Sequence, residues 1–208
     1  LIKAWAQEAG VAQEEVPELG LDRYQLPSPF RTPAPNDLLI TASFGHLLPP
    51  SLLDAFPASQ RLNLHPSLLP ELRGAAPIQW AIAWQMKRTG VSIQTLGDKF
   101  DSGNILAQKE VAIPPLVKYE ALEEILAKHG SQLLLKVLRD LPEFAAKAWP
   151  QSEAPANIGT SLARKLKPSW SDVRWDKQTA NEIEARHRAF GYLVRPLLLA
   201  HALHDTLR

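Results

Sequence analysis

Residues 63–79 read Asn-Leu-His-Pro-Ser-Leu-Leu-Pro-Glu-Leu-Arg-Gly-Ala-Ala-Pro-Ile-Gln. Between Asn63 and Gly74 lie an amide, an imidazole, a hydroxyl, a guanidinium and a glycine. Pro66 and Pro70 keep this stretch stiff and extended, which suits a loop that presents polar groups at a fixed angle. Asn63 and His65 are two positions apart, so on extended backbone they point to the same side. An amide and an imidazole can therefore face one reacting atom together.

Working outward, Arg61–Leu64 reads as a short strand that feeds the loop. Leu38–Ala42, bounded by Asn36-Asp37 and Gly45, reads as a buried strand upstream. Pro50 starts a short helix through Phe56. Downstream the pattern predicts a helix over Ala76–Lys87, a strand over Gly90–Leu96, a turn around Gly103 and a strand over Ile105–Ile113. A long amphipathic helix follows over Lys118–Leu141, with a possible kink at Gly130. Short strands alternating with helices place the chain in the α/β class with a mainly parallel sheet. At the front, Leu1–Glu8 reads as a short helix, and Gly10–Pro35 is irregular because of its prolines. The Ala- and Pro-rich residues 142–157 read as a linker. Three helical pieces are expected in the tail: Ser161–Leu166, Thr179–Phe190 and Leu193–Leu207.

Asp101 sits at a turn between two expected strands. In a parallel sheet, loops at the carboxyl ends of neighbouring strands converge on one crevice, so Asn63, His65 and Asp101 can meet there. Such a trio suits acyl transfer to an amine. The amide donates to the oxyanion of the tetrahedral intermediate. The imidazole assists there or protonates the leaving nitrogen, and the carboxylate orients the ring and takes up the proton shed by the amine. No protein nucleophile is needed. A Ser–His–Asp hydrolase built from Ser67, His65 and Asp101 is the rival reading, but no G-x-S-x-G elbow supports it.

Composition narrows the field. The 208 residues contain no cysteine, which removes disulfides, thiolate nucleophiles and Cys-ligated metals. No apolar run approaches the ~20 residues of a membrane span. A net charge of +1 gives the whole chain no strong pull on nucleic acid, although Lys and Arg outnumber Asp and Glu after residue 160. His201 and His204 share a helix face but have no third ligand nearby, so no metal site is expected. His46 can line the same crevice as the trio. No G-x-G-x-x-G marks a dinucleotide site.

The run at 63–79, together with G-V-S-I-Q-T-L-G-D-K-F-D-S-G-N-I-L at 90–106, closely resembles the two core motifs of the folate-dependent formyltransferases. The ending R-G-A-A-P-I-Q, Arg73–Gln79, resembles the branch that acts on methionyl-tRNA more than the branches that act on small amines. The resemblance implies an incomplete Rossmann-like formyltransferase domain over 1–145, a linker over 146–158, and the helical start of a truncated second domain over 159–208. It implies formyl transfer from 10-formyltetrahydrofolate to the amino group of initiator methionyl-tRNA, with no metal and with a monomer as the complete form. Asn63, His65 and Asp101 match the catalytic residues. Ser67, Leu68, Leu69 and Pro70 match the segment that lines the folate site, and Ser43–Pro49 matches a flanking loop. The K-F-D version of the second motif resembles a fungal mitochondrial branch, which implies the mitochondrial matrix over the cytoplasm. Because Leu1 is not an initiator and Met86 is the sole methionine, the family's first strands are expected upstream, and its carboxy-terminal barrel after residue 208.

Overall fold

The computed structural model describes residues 2–17, 20–21, 24–28, 31–154, 158–170 and 172–193. Helix α1 spans Ile2–Glu8, β1 Leu39–Ala42, α2 Pro50–Leu53, β2 Arg61–His65, α3 Pro77–Ala83, β3 Arg88–Thr95 and β4 Ile105–Ala112. The long α4 spans Tyr119–Arg139, α5 Leu141–Ala146 and α6 Ala180–Phe190. The expected piece Leu193–Leu207 and the pair His201 and His204 fall, apart from Leu193, outside the described residues.

The α/β class holds, but the expected mainly parallel sheet is mixed among the described strands. Their order is β1-β2-β3-β4. Only β1 and β2 run parallel; β2–β3 and β3–β4 are antiparallel. The reason lies in the connections. A parallel crossover needs a dozen or more residues and a helix, whereas β3 and β4 are joined by the turn at 96–104 and form a hairpin. Helix α3, short and closed at Gln85 by a residue with φ of +53°, returns the chain antiparallel to β2.

The alternation of side chains along each strand divides the sheet into two unlike faces. Leu62, Leu64, Val91, Ile93, Ala107 and Val111 point to one face. There they meet α4 through Leu122, Leu126, Leu133 and Val137, in two apolar clusters. Each such buried aliphatic side chain contributes about 1.5–3 kcal/mol. Helix α4 runs unbroken through Gly130, which lets it approach β2: a Cβ there would sit 3.0 Å from the Leu64 side chain.

The other face carries polar rows in register. Thr41 pairs with Asn63 and Asn63 with Gln94; His65 pairs with Ser92 and Ser92 with Gln108. The segment after β2 folds back over this face. Ser67, Leu68 and Leu69 are all buried. Leu68 packs on Gly90, where a Cβ would lie 2.5 Å from its Cδ2. Ser92 Oγ donates to the Ser67 carbonyl (2.6 Å) and accepts from Leu69 N–H (3.0 Å), while Gln108 Nε2 donates to the Leu69 carbonyl (2.7 Å). The Leu69–Pro70 peptide is cis.

Two tail segments differ from expectation. Ser161–Leu166 is extended, not helical. Arg73 N–H donates to Ser161 O, Ala163 N–H to Arg73 O (2.7 Å) and Ala76 N–H to Ala163 O, so tertiary backbone pairing overrides local propensity. The stretch read as a linker begins within α5 and continues onto the sheet, with Trp149 and Ile105 exchanging backbone hydrogen bonds. Helix α6 starts where expected. Thr179 Oγ1 accepts from Glu182 N–H, and the Glu182 carboxylate accepts from Thr179 N–H in a capping box. The helix docks Ala185, Ala189 and Phe190 into the core, and Phe190 lies edge-on to Trp80.

Candidate active site

Asn63 is a product of strand register. Its position on the polar face of β2 sets it beside Thr41 of β1, whose hydroxyl donates to Asn63 Oδ1 at 2.9 Å. That bond orients the amide and leaves Nδ2 without a hydrogen-bond partner among the described residues. Asn63 lines a pocket together with Thr41, Gln94 and Asp101. The rim of this pocket comes from two loops, 44–48 and 95–100, and includes Phe44, His46, Leu47 and Phe100. Phe44, Leu47 and Phe100 are exposed although apolar, so the pocket offers flat hydrophobic walls above a polar floor.

His65 ends β2 and is only 5% exposed. Its Nδ1 lies 3.3 Å from Asp101 Oδ1 and its Nε2 lies 3.1 Å from the Leu72 carbonyl oxygen. Both neighbours are acceptors. Whichever nitrogen carries a proton therefore donates to the acceptor it faces.

Asp101 reaches the site from the β3–β4 turn in a left-handed backbone conformation, with φ of +51°. Aspartate tolerates this region better than most side chains. Its Oδ2 accepts from Gly74 N–H at 2.8 Å, and its Oδ1 accepts from Gln94 Nε2 at 3.2 Å as well as facing His65. Burial pushes the carboxyl pKa up. The hydrogen bond and charge of His65, with the Gly74 N–H and the Gln94 amide, outweigh that and hold it below the ordinary carboxylate value. Asp101 is therefore an anion at neutral pH. Two glycines are required here. Gly74 has a φ of +118°, and a Cβ at Gly103 would collide with the Thr95 carbonyl.

The structure places Asn63 and Asp101 on one pocket and His65 beside Asp101 but outside that lining. It does not bring Ser67 to His65. Ser67 Oγ donates to the Glu71 carbonyl at 2.6 Å, so the hydrolase arrangement is not assembled. Ser67, Leu68 and Leu69 are buried beneath the loop, and Pro70 opens onto a different cleft with Trp80, Trp84 and Trp170. None of these four lines the pocket at Asn63. His46 does line it.

Several residues of the site escaped sequence reasoning. Thr41 and Gln94 could have been found from strand register. Leu72, with φ of +57°, and Gln151, buried in the presumed linker, carry no local signal. Among the described residues no group of three or more His, Cys, Asp or Glu is placed to hold a metal ion. No described helix is long and apolar enough to cross a membrane.

Comparison with known proteins identifies relatives of the chain. The chain is 36% identical over 194 residues to the mitochondrial methionyl-tRNA formyltransferase of Rattus norvegicus, which covers 93% of this chain and 46% of that relative. It is 43% identical over 130 residues to the methionyl-tRNA formyltransferase of Geobacillus thermodenitrificans, covering 62% of this chain and 40% of that protein. The chain spans about half the length of the curated relatives it matches. Among solved structures, the N-formyltransferase of Helicobacter canadensis in complex with folinic acid and dTDP-3-aminofucose superposes with a TM-score of 0.67. It shares 18% identity, over 90% of this chain and 62% of that one, and so supports the fold. HypX of Aquifex aeolicus in complex with tetrahydrofolic acid gives a TM-score of 0.61 at 18% identity, over 74% of this chain and 25% of its own. The sequence profile described as formyl transferase matches residues 31–138, more than half the chain and the whole of the polar face with its three site residues. The chain belongs to the formyl transferase family.

Proposed function

We propose that the protein transfers the formyl group of 10-formyltetrahydrofolate to the amino group of initiator methionyl-tRNA, in the mitochondrial matrix, as a monomer in its complete form. The observation that carries this reading is the oriented, unspent Nδ2 of Asn63 on the same pocket as an ionised Asp101 that His65 backs. Relatives named methionyl-tRNA formyltransferase, mitochondrial in rat, mouse, human and cattle, support the acceptor and the compartment.

The folate co-substrate supplies an activated formyl carbonyl. The chemistry of the lining suits it, with Phe44, Leu47 and Phe100 as apolar contacts and Thr41, Asn63 and Asp101 as polar ones, but the pocket holds only about 50 Å³ and must widen to admit a ring system. Asn63 Nδ2 donates to the carbonyl oxygen as it gains negative charge. Asp101, which lines the pocket, receives the proton released by the attacking amine and returns it to the departing nitrogen. His65 lies behind the lining, its nitrogens facing Asp101 Oδ1 and the Leu72 carbonyl, and holds the carboxylate in place. Ser67, Leu68, Leu69 and Pro70 serve the site from below, by holding the loop that carries Leu72 and Gly74.

The test is formyl transfer from 10-formyltetrahydrofolate to charged initiator tRNA, with His65→Ala as the control. Transfer above the control supports the reading. Transfer to a small amino sugar but not to charged tRNA would assign a different acceptor, and no transfer to either would make this chain catalytically silent.

A further inference from the structure

Gln151 is a buried amide in a stretch whose composition suggests nothing but a spacer; it is 6% exposed. Its Nε2 donates to the carbonyl oxygens of Asp101 (2.9 Å) and Gly103 (2.8 Å) and faces Gln94 Oε1 at 3.1 Å. Its Oε1 accepts from Arg73 Nε at 2.7 Å. Gln94 in turn donates to the Asp101 carboxylate. One side chain therefore grips the backbone on both sides of the turn that carries Asp101, and it orients the amide that bonds the carboxylate itself.

The grip matters because the turn is not self-supporting. Asp101 sits in the left-handed region, which a non-glycine residue holds only when its surroundings impose it. Within the turn itself only Ser102 Oγ to the Lys99 carbonyl and Asn104 N–H to Thr95 Oγ1 add side-chain hydrogen bonds among the described residues. Neither reaches the peptide of Asp101. The neighbouring loop is reached through the same residue, since Arg73 precedes the glycine whose N–H meets Asp101 Oδ2.

We infer that Gln151 is a positioning residue of the active site: it clamps the Asp101 turn against β3 and the Arg73–Gly74 loop, and so fixes the carboxylate against His65. The alternative is that Gln151 merely satisfies Arg73. The two are separable by chemistry. Gln151→Glu keeps an acceptor for Arg73 and nearly the same volume but, ionised, has no proton to donate to the two carbonyls. Gln151→Leu removes both functions.

The decisive measurement is NMR titration of the Asp101 carboxyl in the 208-residue chain, with circular dichroism to establish folding. In both variants the Asp101 titration moves up by roughly one pH unit as its contacts to His65 and Gly74 loosen. Because the charge introduced by Gln151→Glu raises the Asp101 titration by itself, the neutral Gln151→Leu decides: an unmoved titration in that folded variant overturns the inference. Should neither variant fold, the wild-type chain still decides: the carboxamide protons of Gln151 exchange slowly with solvent, and exchange at the rate of a free amide overturns the clamp. A kinetic readout rests on the proposed formyl transfer. In that assay kcat falls about tenfold with KM for the formyl donor unchanged, and the acid limb of the profile moves up with the titration. Absence of transfer by the wild type would refute the proposed reaction and leave the titration result standing; a normal wild-type rate with an unmoved titration would refute the clamp alone.

Discussion

The site has two halves that are built in different ways. Asn63 and His65 lie on β2, where the parallel pairing with β1 and the antiparallel pairing with β3 fix their positions. Asp101 lies on a turn, and its position depends on Gly74, Gln94 and Gln151, drawn from three separate segments. A strand position is over-determined by a ladder of backbone hydrogen bonds. A turn position is only as good as its individual clamps. The strand half should therefore respond to mutation in its chemistry and the turn half in its geometry and stability.

Four measurements bear on that contrast. The largest effect is expected from Asn63→Ala. Its kcat for formyl transfer should fall about 10²–10³-fold, with an unfolding midpoint close to wild type. A large stability loss would show that the strand half is structural after all. Next comes Gly103→Ala, which drives a methyl group into the Thr95 carbonyl. Denaturant unfolding should show a loss of about 3 kcal/mol, with the Asp101 titration displaced. A neutral result would mean that the turn tolerates movement. Thr41→Val removes the hydroxyl that orients the Asn63 amide while keeping its shape. A loss of about 1 kcal/mol in transition-state stabilisation is expected, near fivefold in rate. Activity equal to wild type would show that β2 alone orients the amide.

The smallest effect is carried by pH. The folded pKa of Asp101 is lowered relative to the unfolded chain. Its stabilising contribution is thus complete above the unfolded value and is lost as pH falls through the folded one. Comparing wild type with Asp101→Asn by urea unfolding, the wild-type advantage should narrow once pH drops below about 4. A gap that widens on acidification would reverse the sign and remove the ion pair from the account.

What the sequence revealed follows the same division. The alternation in Leu39–Ala42, Arg61–His65 and Arg88–Thr95 is a local property, so the strands and the shared side of Asn63 and His65 were legible. The direction of β3 was not, because a hairpin and a crossover leave similar apolar runs. The extended path of Ser161–Leu166 was hidden as well, since its pairing partner is Arg73. Gln151 was hidden for the same reason. Its partners at Asp101 and Gly103 lie far away in the chain, and a glutamine between Pro150 and Ser152 has no local mark of its role. Motif residues were thus visible, while the residues that hold them were visible only in three dimensions.

The bonds from Arg73 to Gln151 and from Leu72 N–H to Ser161 Oγ span 78 and 89 residues of sequence. Closing loops of that length is entropically expensive, and contacts between distant residues form late in folding. During synthesis from the amino terminus, Asn63, His65 and Asp101 all emerge well before the side chains that set the Leu72–Gly74 loop and the Asp101 turn. With Gln151 as the clamp inferred above, the carboxylate is expected to reach its final place only after Gln151 has docked. Placement of the Asp101 turn is thereby expected to depend on completion of the surrounding fold, so that partly made chains lack it.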